Sequence, residues 1–217
     1  KYGQLVIVDD HKLFRNGLKL LIREEWVFEE VTDFPNGIEF LAYIEKYSVD
    51  LVLMDINMPI MNGIDATRAA IEKRPEISII ALSMLSDDIN YYKMIEAGAK
   101  GFVLKDAGSE ELHKAIDTVM SGDSYFSGGL MKNILMSLNV SARSLQVQEN
   151  PGVKFSPREI EILEQICKGL SNQEIAEILF ISPRTVERHR ANLFDKTGAR
   201  NSVNLVMYAI KNNLVKV

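Results

Sequence analysis

The sequence contains a single cysteine, Cys167, and no long hydrophobic run. Each of these features excludes some classes of protein. A single thiol excludes a disulfide within the chain and a metal site built from several thiolates. Cys167 lies among apolar residues at helical spacing, which predicts a buried, unreactive thiol. No apolar stretch approaches the roughly 18 residues that span a membrane, and no signal peptide is recognisable. These features predict a cytoplasmic protein without membrane insertion.

Charge is divided unevenly along the 217 residues, a length that suits two domains. Residues 1–149 carry 15 Lys and Arg against 23 Asp and Glu, a net charge of −8. Residues 150–217 carry 10 against 7, a net charge of +3. This asymmetry predicts two domains with different partners, and nucleic acid is the first candidate partner for the basic one.

Short apolar runs alternate with amphipathic stretches over the first 120 residues. Strands are predicted at 5–8, 28–34, 51–54, 77–82 and 101–104, each followed by a helical pattern. Such alternation predicts an α/β fold, a doubly wound five-stranded parallel sheet with helices on both faces. The run 51–54 is bounded by a carboxylate and turn residues, as a buried strand of a parallel sheet would be.

Polar side chains follow four of these strands. Asp9 and Asp10 follow the first, Asp55 the third, Ser83 the fourth and Lys105 the fifth. Each has an ordinary explanation by itself, such as a helix cap or a surface charge. Because ligands gather at the carboxyl ends of parallel strands, we expect the five to meet there. Clustered carboxylates suit Mg²⁺, and a hydroxyl and an ammonium suit phosphoryl oxygens, so the pattern predicts an aspartate that accepts a phosphoryl group.

Four segments carry a family resemblance: Val8-Asp9-Asp10, Met54-Asp-Ile-Asn-Met-Pro-Ile-Met-Asn-Gly63, Leu82-Ser83 and Phe102-Val-Leu-Lys105. With them, residues 4–121 resemble a response-regulator receiver domain. The resemblance implies that a sensor histidine kinase phosphorylates Asp55 with Mg²⁺. It further implies Mg²⁺ ligands at Asp9, Asp10, Asp55 and the backbone carbonyl of Asn57, phosphoryl contacts from Ser83 and Lys105, and a switch aromatic at Phe102. The switch aromatic is often Tyr in the family, and Phe102 lacks its hydroxyl.

The strand and helix alternation lapses between residues 122 and 152, where turn residues are frequent. We therefore predict a receiver domain at 1–121, a linker at 122–152 and a second domain at 153–217. Helical spacing within the linker predicts a short helix there. Its apolar residues are Leu130, Ile134, Leu135 and Leu138.

The second domain carries the helix starts of a helix-turn-helix. Two capping boxes are predicted, Ser156 with Glu159 and Ser171 with Glu174, and Ser182 begins the next helix. The side chains predicted to point outward from that helix are Arg184, Glu187, Arg188 and Arg190. A small helical bundle with a solvated charged face is the alternative interpretation.

The segments Leu170-Ser-Asn-Gln-Glu-Ile-Ala176 and Ile181-Ser-Pro-Arg-Thr-Val-Glu-Arg-His189 resemble the LuxR-type DNA-binding domain, and the whole chain is similar to the NarL/FixJ subfamily of response regulators. The resemblance implies that helix 183–196 enters the major groove of double-stranded promoter DNA. Its DNA-contacting candidates are Arg184, Thr185, Glu187, Arg188, Arg190, Ala191 and Lys196. Arg184, Arg190 and Lys196 would contact phosphates, and residues 187, 188 and 191 would lie nearest the base edges.

A fourth helix is predicted from about residue 202 to 212. In relatives this helix is a candidate dimer face, so the protein would form a homodimer when phosphorylated. The candidate residues of that face are Leu205, Val206, Tyr208 and Ala209.

Together these features predict a phosphorylation-controlled transcription regulator that turns over no external substrate. One alternative is a regulator that binds DNA constitutively and does not depend on phosphate. Another is a phosphatase of the haloacid-dehalogenase type. Such enzymes normally carry a second carboxylate two residues after the nucleophile, and here that position is Asn57.

Overall fold

The computed structural model describes residues 2–26, 28–84, 88–126, 154–212 and 214–215 of the chain. It consists of two compact units, Lys1–Leu130 and Met131–Val217. Each unit buries its own cluster of apolar side chains. Separate cores mean that each unit has its own source of stability.

The first unit alternates strands and helices. The strands are β1 (Tyr2–Val8), β2 (Phe28–Phe34), β3 (Leu51–Asp55), β4 (Ser78–Ser83) and β5 (Gly101–Leu104). The helices are α1 (Lys12–Glu25), α2 (Gly37–Ile44), α3 (Gly63–Lys73), α4 (Asp88–Ala97) and α5 (Ser109–Met120). Neighbouring strands are all parallel, in the order β2-β1-β3-β4-β5. The predicted doubly wound α/β fold is confirmed.

The strand register brings the carboxyl ends of the central strands to one edge of the sheet. Val8 pairs with Met54, Asp55 with Leu82, and Ser83 with Leu104. Every residue of β3 and β4 is buried, which explains why both read as continuous apolar runs rather than alternating ones.

Helix starts in the first unit follow capping chemistry. Asn36 and Asn62 accept hydrogen bonds from the backbone N–H groups of Glu39 and Asp65, and so begin α2 and α3. Gly108 is the N-cap residue of α5, with extended backbone angles of φ −68° and ψ 161°, and Ser109 is the first helical residue.

The second unit consists of α6 (Pro157–Cys167), α7 (Asn172–Leu179), α8 (Pro183–Thr197) and α9 (Ser202–Lys211). Both predicted capping boxes form, and the Ser182 hydroxyl accepts a hydrogen bond from the Thr185 N–H at the start of α8. Phe180 turns the chain between α7 and α8 in the left-handed conformation, with φ 54°. The helix order and tight turn are those of the predicted helix-turn-helix.

Two isoleucines in the second unit are less buried than their neighbours. Ile178 of α7 is 50% exposed, whereas Ile175 is fully buried. In α6, Ile162 and Leu163 are fully buried, while Ile160 is half-buried. Only one stripe of these short helices can reach the small core.

The predicted dimer face on α9 is corrected by the packing of the helix. Leu205, Val206 and Ala209 are at most 3% exposed and belong to the core of their own unit. Tyr208 is half-buried, and its ring contacts Phe155 edge-on with 6.4 Å between centroids. The first three side chains are therefore not available to a second copy of the chain.

The predicted linker helix at Leu130, Ile134, Leu135 and Leu138 lies outside the described residues. Among the helices of the described ranges, none is long and apolar enough to cross a bilayer.

Gly63 should be sensitive to the smallest side chain. A Cβ at this position would lie 2.0 Å from the backbone oxygen of Asp55, so Gly63→Ala must push the end of β3 away. We expect the free energy of unfolding to fall by about 1–3 kcal/mol. Urea unfolding followed through the fluorescence of Trp26, the single tryptophan and 7% exposed, measures the change.

The matched control is Gly17→Ala in α1. A Cβ there meets nothing within 4 Å, and alanine favours the helix interior over glycine by roughly 0.5–1 kcal/mol. We expect the free energy of unfolding to fall in Gly63→Ala and to rise in Gly17→Ala. Equal small changes in both variants would show that the Gly63 backbone does not lie close to the Asp55 carbonyl.

Candidate functional site

The sheet edge formed by the carboxyl ends of the strands carries the predicted phosphorylation residues. Asp9 follows β1, Asp55 ends β3, Ser83 ends β4 and Lys105 follows β5. Asp9, Asp55 and Ser83 are 0%, 3% and 4% exposed. The Lys105 N–H donates to the Ser83 carbonyl at 2.6 Å, which holds the last two elements side by side.

The Lys105 ammonium joins two of the carboxylates. Its Nζ lies 2.6 Å from Asp9 Oδ2 and 3.0 Å from Asp55 Oδ2, and its side chain is 3% exposed. The same Nζ lies 4.9 Å from the ring centroid of Phe14 on α1. Because the ammonium is shielded from water, its attraction to both carboxylates is stronger than at a surface.

Asp55 is held in an environment that resists its negative charge. Burial raises the pKa of its carboxyl above the ordinary value, against the opposing hydrogen bond and charge of Lys105, and the nearby Asp9 charge adds to the rise. Oδ1 of Asp55 accepts a long 3.4 Å hydrogen bond from the Asn57 N–H. A carboxylate in this position gains when further positive charge enters the site.

A cluster of oxygen donors surrounds this position. Ligand atoms of Asp9, Asp10, His11 and Asp55 all lie within 4.8 Å of one another. Three carboxylates face one lysine ammonium here, so the donors and their charge fit a hard divalent cation such as Mg²⁺. Asp10 is exposed, as is Asn57. The exposed side of the cluster leaves an open approach to Asp55.

His11 and Arg15 are parts of this edge that sequence reasoning missed. His11 Nδ1 lies 2.9 Å from Asp10 Oδ1 and 3.3 Å from Asp9 Oδ1. Arg15 is 8% exposed although it occurs on an amphipathic helix. His11 could have been suspected from the sequence, because it directly follows the pair Asp9-Asp10. Arg15 could not, because hydrophobic periodicity does not identify a buried arginine.

Phe102 lies in the core of the first unit. It is 4% exposed, and its ring meets Tyr91 of α4 edge-on at 4.0 Å between centroids. Its N–H donates to the Tyr125 carbonyl at 3.0 Å. This position suits an aromatic side chain that packs in the core, and it is also compatible with the predicted switch role.

Helix α8 exposes part of the predicted DNA-contacting set. Arg184, Glu187, Arg188 and Ala191 are exposed, and Thr185 is half-buried with its hydroxyl 2.8 Å from that of Ser182. Arg184 and Thr185 lie in the first turn of α8, and Ala191 lies about two turns further along the helix.

The prediction that Arg190 points outward is wrong. Arg190 is 6% exposed. Its Nη1 donates to Asn172 Oδ1 at 2.8 Å and its Nη2 to Ser202 Oγ at 2.6 Å. The guanidinium therefore ties α8 to the starts of α7 and α9, because its forked donors can satisfy two partners at once.

Lys196 is also engaged within its own unit. Its Nζ donates to Glu159 Oε2 at 2.7 Å and to the Lys154 carbonyl at 3.1 Å. Glu159 belongs to the capping box of α6 and is 3% exposed, and despite its burial the ammonium and the Ser156 N–H lower its pKa. Lys196 thus links α8 to the start of α6.

Residues 5–117 match the response regulator receiver domain family. Residues 153–209 match the luxR family of bacterial regulatory proteins. The chain belongs to the NarL/FixJ subfamily of response regulators. It is a phosphorylation-controlled transcription regulator, in which a receiver for a histidine kinase precedes a DNA-binding domain. Receiver domains generally bind Mg²⁺ at an acidic pocket, and this receiver carries a cluster of aspartates at its sheet edge.

Two curated relatives match this response regulator over nearly its whole length. The transcriptional regulatory protein DegU of Brevibacillus brevis is 34% identical, covering 99% of this chain and 95% of that protein. The oxygen regulatory protein NreC of Staphylococcus aureus is 34% identical, covering 98% and 99%. Among solved structures, the response regulator ChrA of a heme-sensing two-component system is 29% identical with a TM-score of 0.50, covering 98% of each chain.

Asp55→Asn should stabilise the receiver unit of this response regulator at neutral pH. Because the folded pKa of Asp55 is raised above its ordinary value of 3.8, ionisation of Asp55 opposes folding. This opposition lowers the free energy of unfolding by about 1.4 kcal/mol for each unit by which folding raises the pKa. The effect is absent below pH 3.8, where Asp55 is protonated in both the folded and unfolded states. It is complete above the folded pKa, where Asp55 is ionised in both states. Urea unfolding across this range should show the advantage of the variant growing with pH.

Asp33→Asn is the control of opposite sign. Burial acts to raise the pKa of Asp33, but hydrogen bonds and charge from Lys19 and Arg15 outweigh it and hold the pKa below 3.8. The ionised form is therefore stabilising at neutral pH, and this contribution is lost as the pH falls through the folded pKa. A neutral-pH loss of stability in both variants would contradict the electrostatics described for Asp55.

Proposed function

We propose that Asp55 is the residue that accepts the phosphoryl group. The supporting observation is the contact of its Oδ2 with the buried Lys105 ammonium, 3.0 Å away, at the open acidic edge of the sheet. A carboxylate oxygen of Asp55 attacks the phosphorus of a phosphohistidine or a small phosphodonor. The bond from phosphorus to the donor breaks and the donor leaves with its electron pair. No external substrate is turned over.

The neighbours of Asp55 have separate tasks in this proposal. Lys105 keeps its contact with Asp9 and pairs with an oxygen of the transferred group, and the Ser83 hydroxyl bonds another oxygen. Asp9, Asp10, Asp55 and the Asn57 carbonyl would hold Mg²⁺. When bound, Mg²⁺ supplies positive charge to the phosphoryl oxygens. Asp9 is suited to this task because it is fully buried and already fixed by Lys105.

Phe102 is proposed to report the phosphorylated state. Its ring packs against Tyr91 of α4, and its strand, β5, lies between β4 and the segment that contains Tyr125. Movement of Ser83 toward a phosphoryl oxygen would shift the population of Phe102 orientations and alter the surface around α4. The protein would then form a homodimer that presents two α8 helices to two half-sites, about one turn of DNA apart.

The DNA-contacting surface of α8 is proposed in a revised form. It keeps the five candidates that remain on its open face: Arg184, Thr185, Glu187, Arg188 and Ala191. Arg190 and Lys196 are omitted because their charges are used by Asn172, Ser202 and Glu159. We place this activity in the bacterial cytoplasm, where promoter DNA and the kinase domain of a sensor meet the regulator.

The phosphorylation proposal is tested by intact mass after incubation with acetyl phosphate and Mg²⁺. We expect one added phosphoryl group on the wild-type protein and none on Asp55→Asn. The control is Asp106→Asn, which changes an exposed carboxylate next to Lys105 and should be phosphorylated normally. A phosphoryl group on Asp55→Asn would overturn the assignment. Continuous release of phosphate from an added phosphate ester would instead favour a phosphatase.

The DNA proposal is tested by comparing two arginines of α8. Arg188→Ala should weaken binding to a duplex selected by the wild-type protein from a random library by about 1–3 kcal/mol at fixed salt, with unchanged thermal stability. Arg190→Ala should instead lower the melting temperature of the DNA-binding unit, since it removes the two hydrogen bonds that tie α8 to the starts of α7 and α9. Fluorescence anisotropy and circular dichroism give the two readouts. Unchanged affinity in Arg188→Ala would remove that residue from the interface.

A further inference from the structure

Arg15 makes one buried and one partly buried hydrogen bond, neither of which has a role in the phosphoryl transfer proposed above. Its Nη1 donates to the backbone carbonyl of Asp9 at 2.6 Å, and its Nε donates to Asp33 Oδ2 at 2.6 Å. The side chain is 9% exposed and that of Asp33 is 21% exposed. A guanidinium can do this because its donors point in fixed, different directions.

The backbone of Asp9 is consequently tied to the end of β2 from both sides. Its N–H donates directly to the Phe34 carbonyl at 3.1 Å. Its carbonyl is held by Arg15, which is anchored by the neighbouring residue Asp33. The peptide group that connects Asp9 to Asp10 is therefore fixed by residues outside the acidic cluster.

The orientation of this peptide determines where the donor atoms of the acidic cluster point. The Asp9 carboxylate accepts the His11 N–H at Oδ1, 2.7 Å away, and meets Lys105 at Oδ2. Asp10 and His11 follow in the same tight turn and contribute the remaining ligand atoms on that side. A rotation of the peptide at Asp9 would move all of these donors together.

We propose that Arg15, anchored by Asp33, is a positioning residue that holds the turn at Asp9 and Asp10 in the geometry that binds a divalent cation. This inference rests on the proposed role of these aspartates as metal ligands. Residues outside the ligand set that orient metal ligands commonly change metal affinity by about 10–100-fold when removed.

Lys19 provides a matched control for charge. Its ammonium pairs with the other oxygen of Asp33, and its side chain is 24% exposed. Lys19→Gln and Arg15→Gln remove the same charge from the same carboxylate on the same helix. Of these two side chains, Arg15 is the one that contacts Asp9. A difference between the variants therefore reports the contact to the Asp9 carbonyl.

The experiment measures binding of Mn²⁺ to the full-length protein by electron paramagnetic resonance of the free ion. Mn²⁺ is a suitable probe because it shares the oxygen preference of Mg²⁺. We expect Arg15→Gln to raise the Kd for Mn²⁺ by at least about tenfold, and Lys19→Gln to leave it unchanged. Urea unfolding, followed through Trp26 fluorescence at the temperature of the binding experiment, shows whether each variant is folded there. Affinities are compared only between folded variants, so a loss of stability is not mistaken for a loss of affinity.

Each result decides the matter. Equal affinities of Arg15→Gln and wild type would overturn the inference, and so would equal losses in Arg15→Gln and Lys19→Gln. If Arg15→Gln does not fold, Asp33→Asn decides instead, because it weakens the anchor and leaves the arginine in place. A raised Kd for Mn²⁺ in Asp33→Asn supports positioning, and an unchanged Kd overturns it. A wild-type protein that binds no Mn²⁺ would overturn the proposed metal site itself.

Discussion

Two buried carboxylates share one buried ammonium in the receiver unit, and the arrangement of that unit's sheet edge follows from their electrostatics. Asp9 and Asp55 both contact Lys105, and Asp10 lies close by. One lysine does not neutralise three carboxylates, so the edge favours additional positive charge. Burial raises the pKa of Asp55 above its ordinary value, and the nearby Asp9 charge adds to the rise. In the proposed function, a bound Mg²⁺ would supply part of the missing positive charge.

The fold supplies this cluster at a cost in stability that the surrounding core offsets. The parallel register aligns the ends of β1, β3, β4 and β5 at one edge. The strands behind them are buried, and apolar burial contributes about 25 cal/mol for each Å² removed from water. A rigid apolar sheet therefore holds mutually repelling groups in a geometry that they would not adopt alone. Gly63 completes the arrangement, because its missing side chain lets α3 start against the Asp55 carbonyl.

Sequence reasoning predicted the receiver fold and the residues of its acidic edge because strand periodicity places the strand ends, and topology then brings them together. The capping boxes at Ser156 and Ser171 were equally readable, since they depend on local spacing. Arg190 was misjudged because helical periodicity gives the direction of a side chain but not whether a neighbouring helix covers it. Lys196 is exposed, but its ammonium pairs with Glu159, a contact between helices that periodicity does not give. The prediction of a dimer face on α9 was wrong for a related reason. An apolar helix face predicts that the face is buried, but it does not tell whether the same unit or a second copy of the chain buries it.

The two units differ in how they use positive charge. In the receiver, arginine and lysine side chains are buried around aspartates. In the DNA-binding unit, Arg190 and Lys196 stabilise the domain, and Arg184 and Arg188 remain on the exposed face of α8. Buried positive charge thus supports the acidic cluster in the receiver, whereas part of the positive charge of the second unit lies on the surface proposed to contact DNA.

The measurement that tests this account most directly is the affinity of the full-length protein for a labelled duplex, with and without acetyl phosphate and Mg²⁺. The duplex is one that the wild-type protein selects from a random library, and the affinity is read by fluorescence anisotropy. Phosphorylation should tighten binding by at least about fivefold, the lower end of ordinary coupling between sites, and Asp55→Asn should show no such change. Equal affinities of the phosphorylated and unphosphorylated wild-type protein would contradict it and indicate a constitutive DNA-binding regulator.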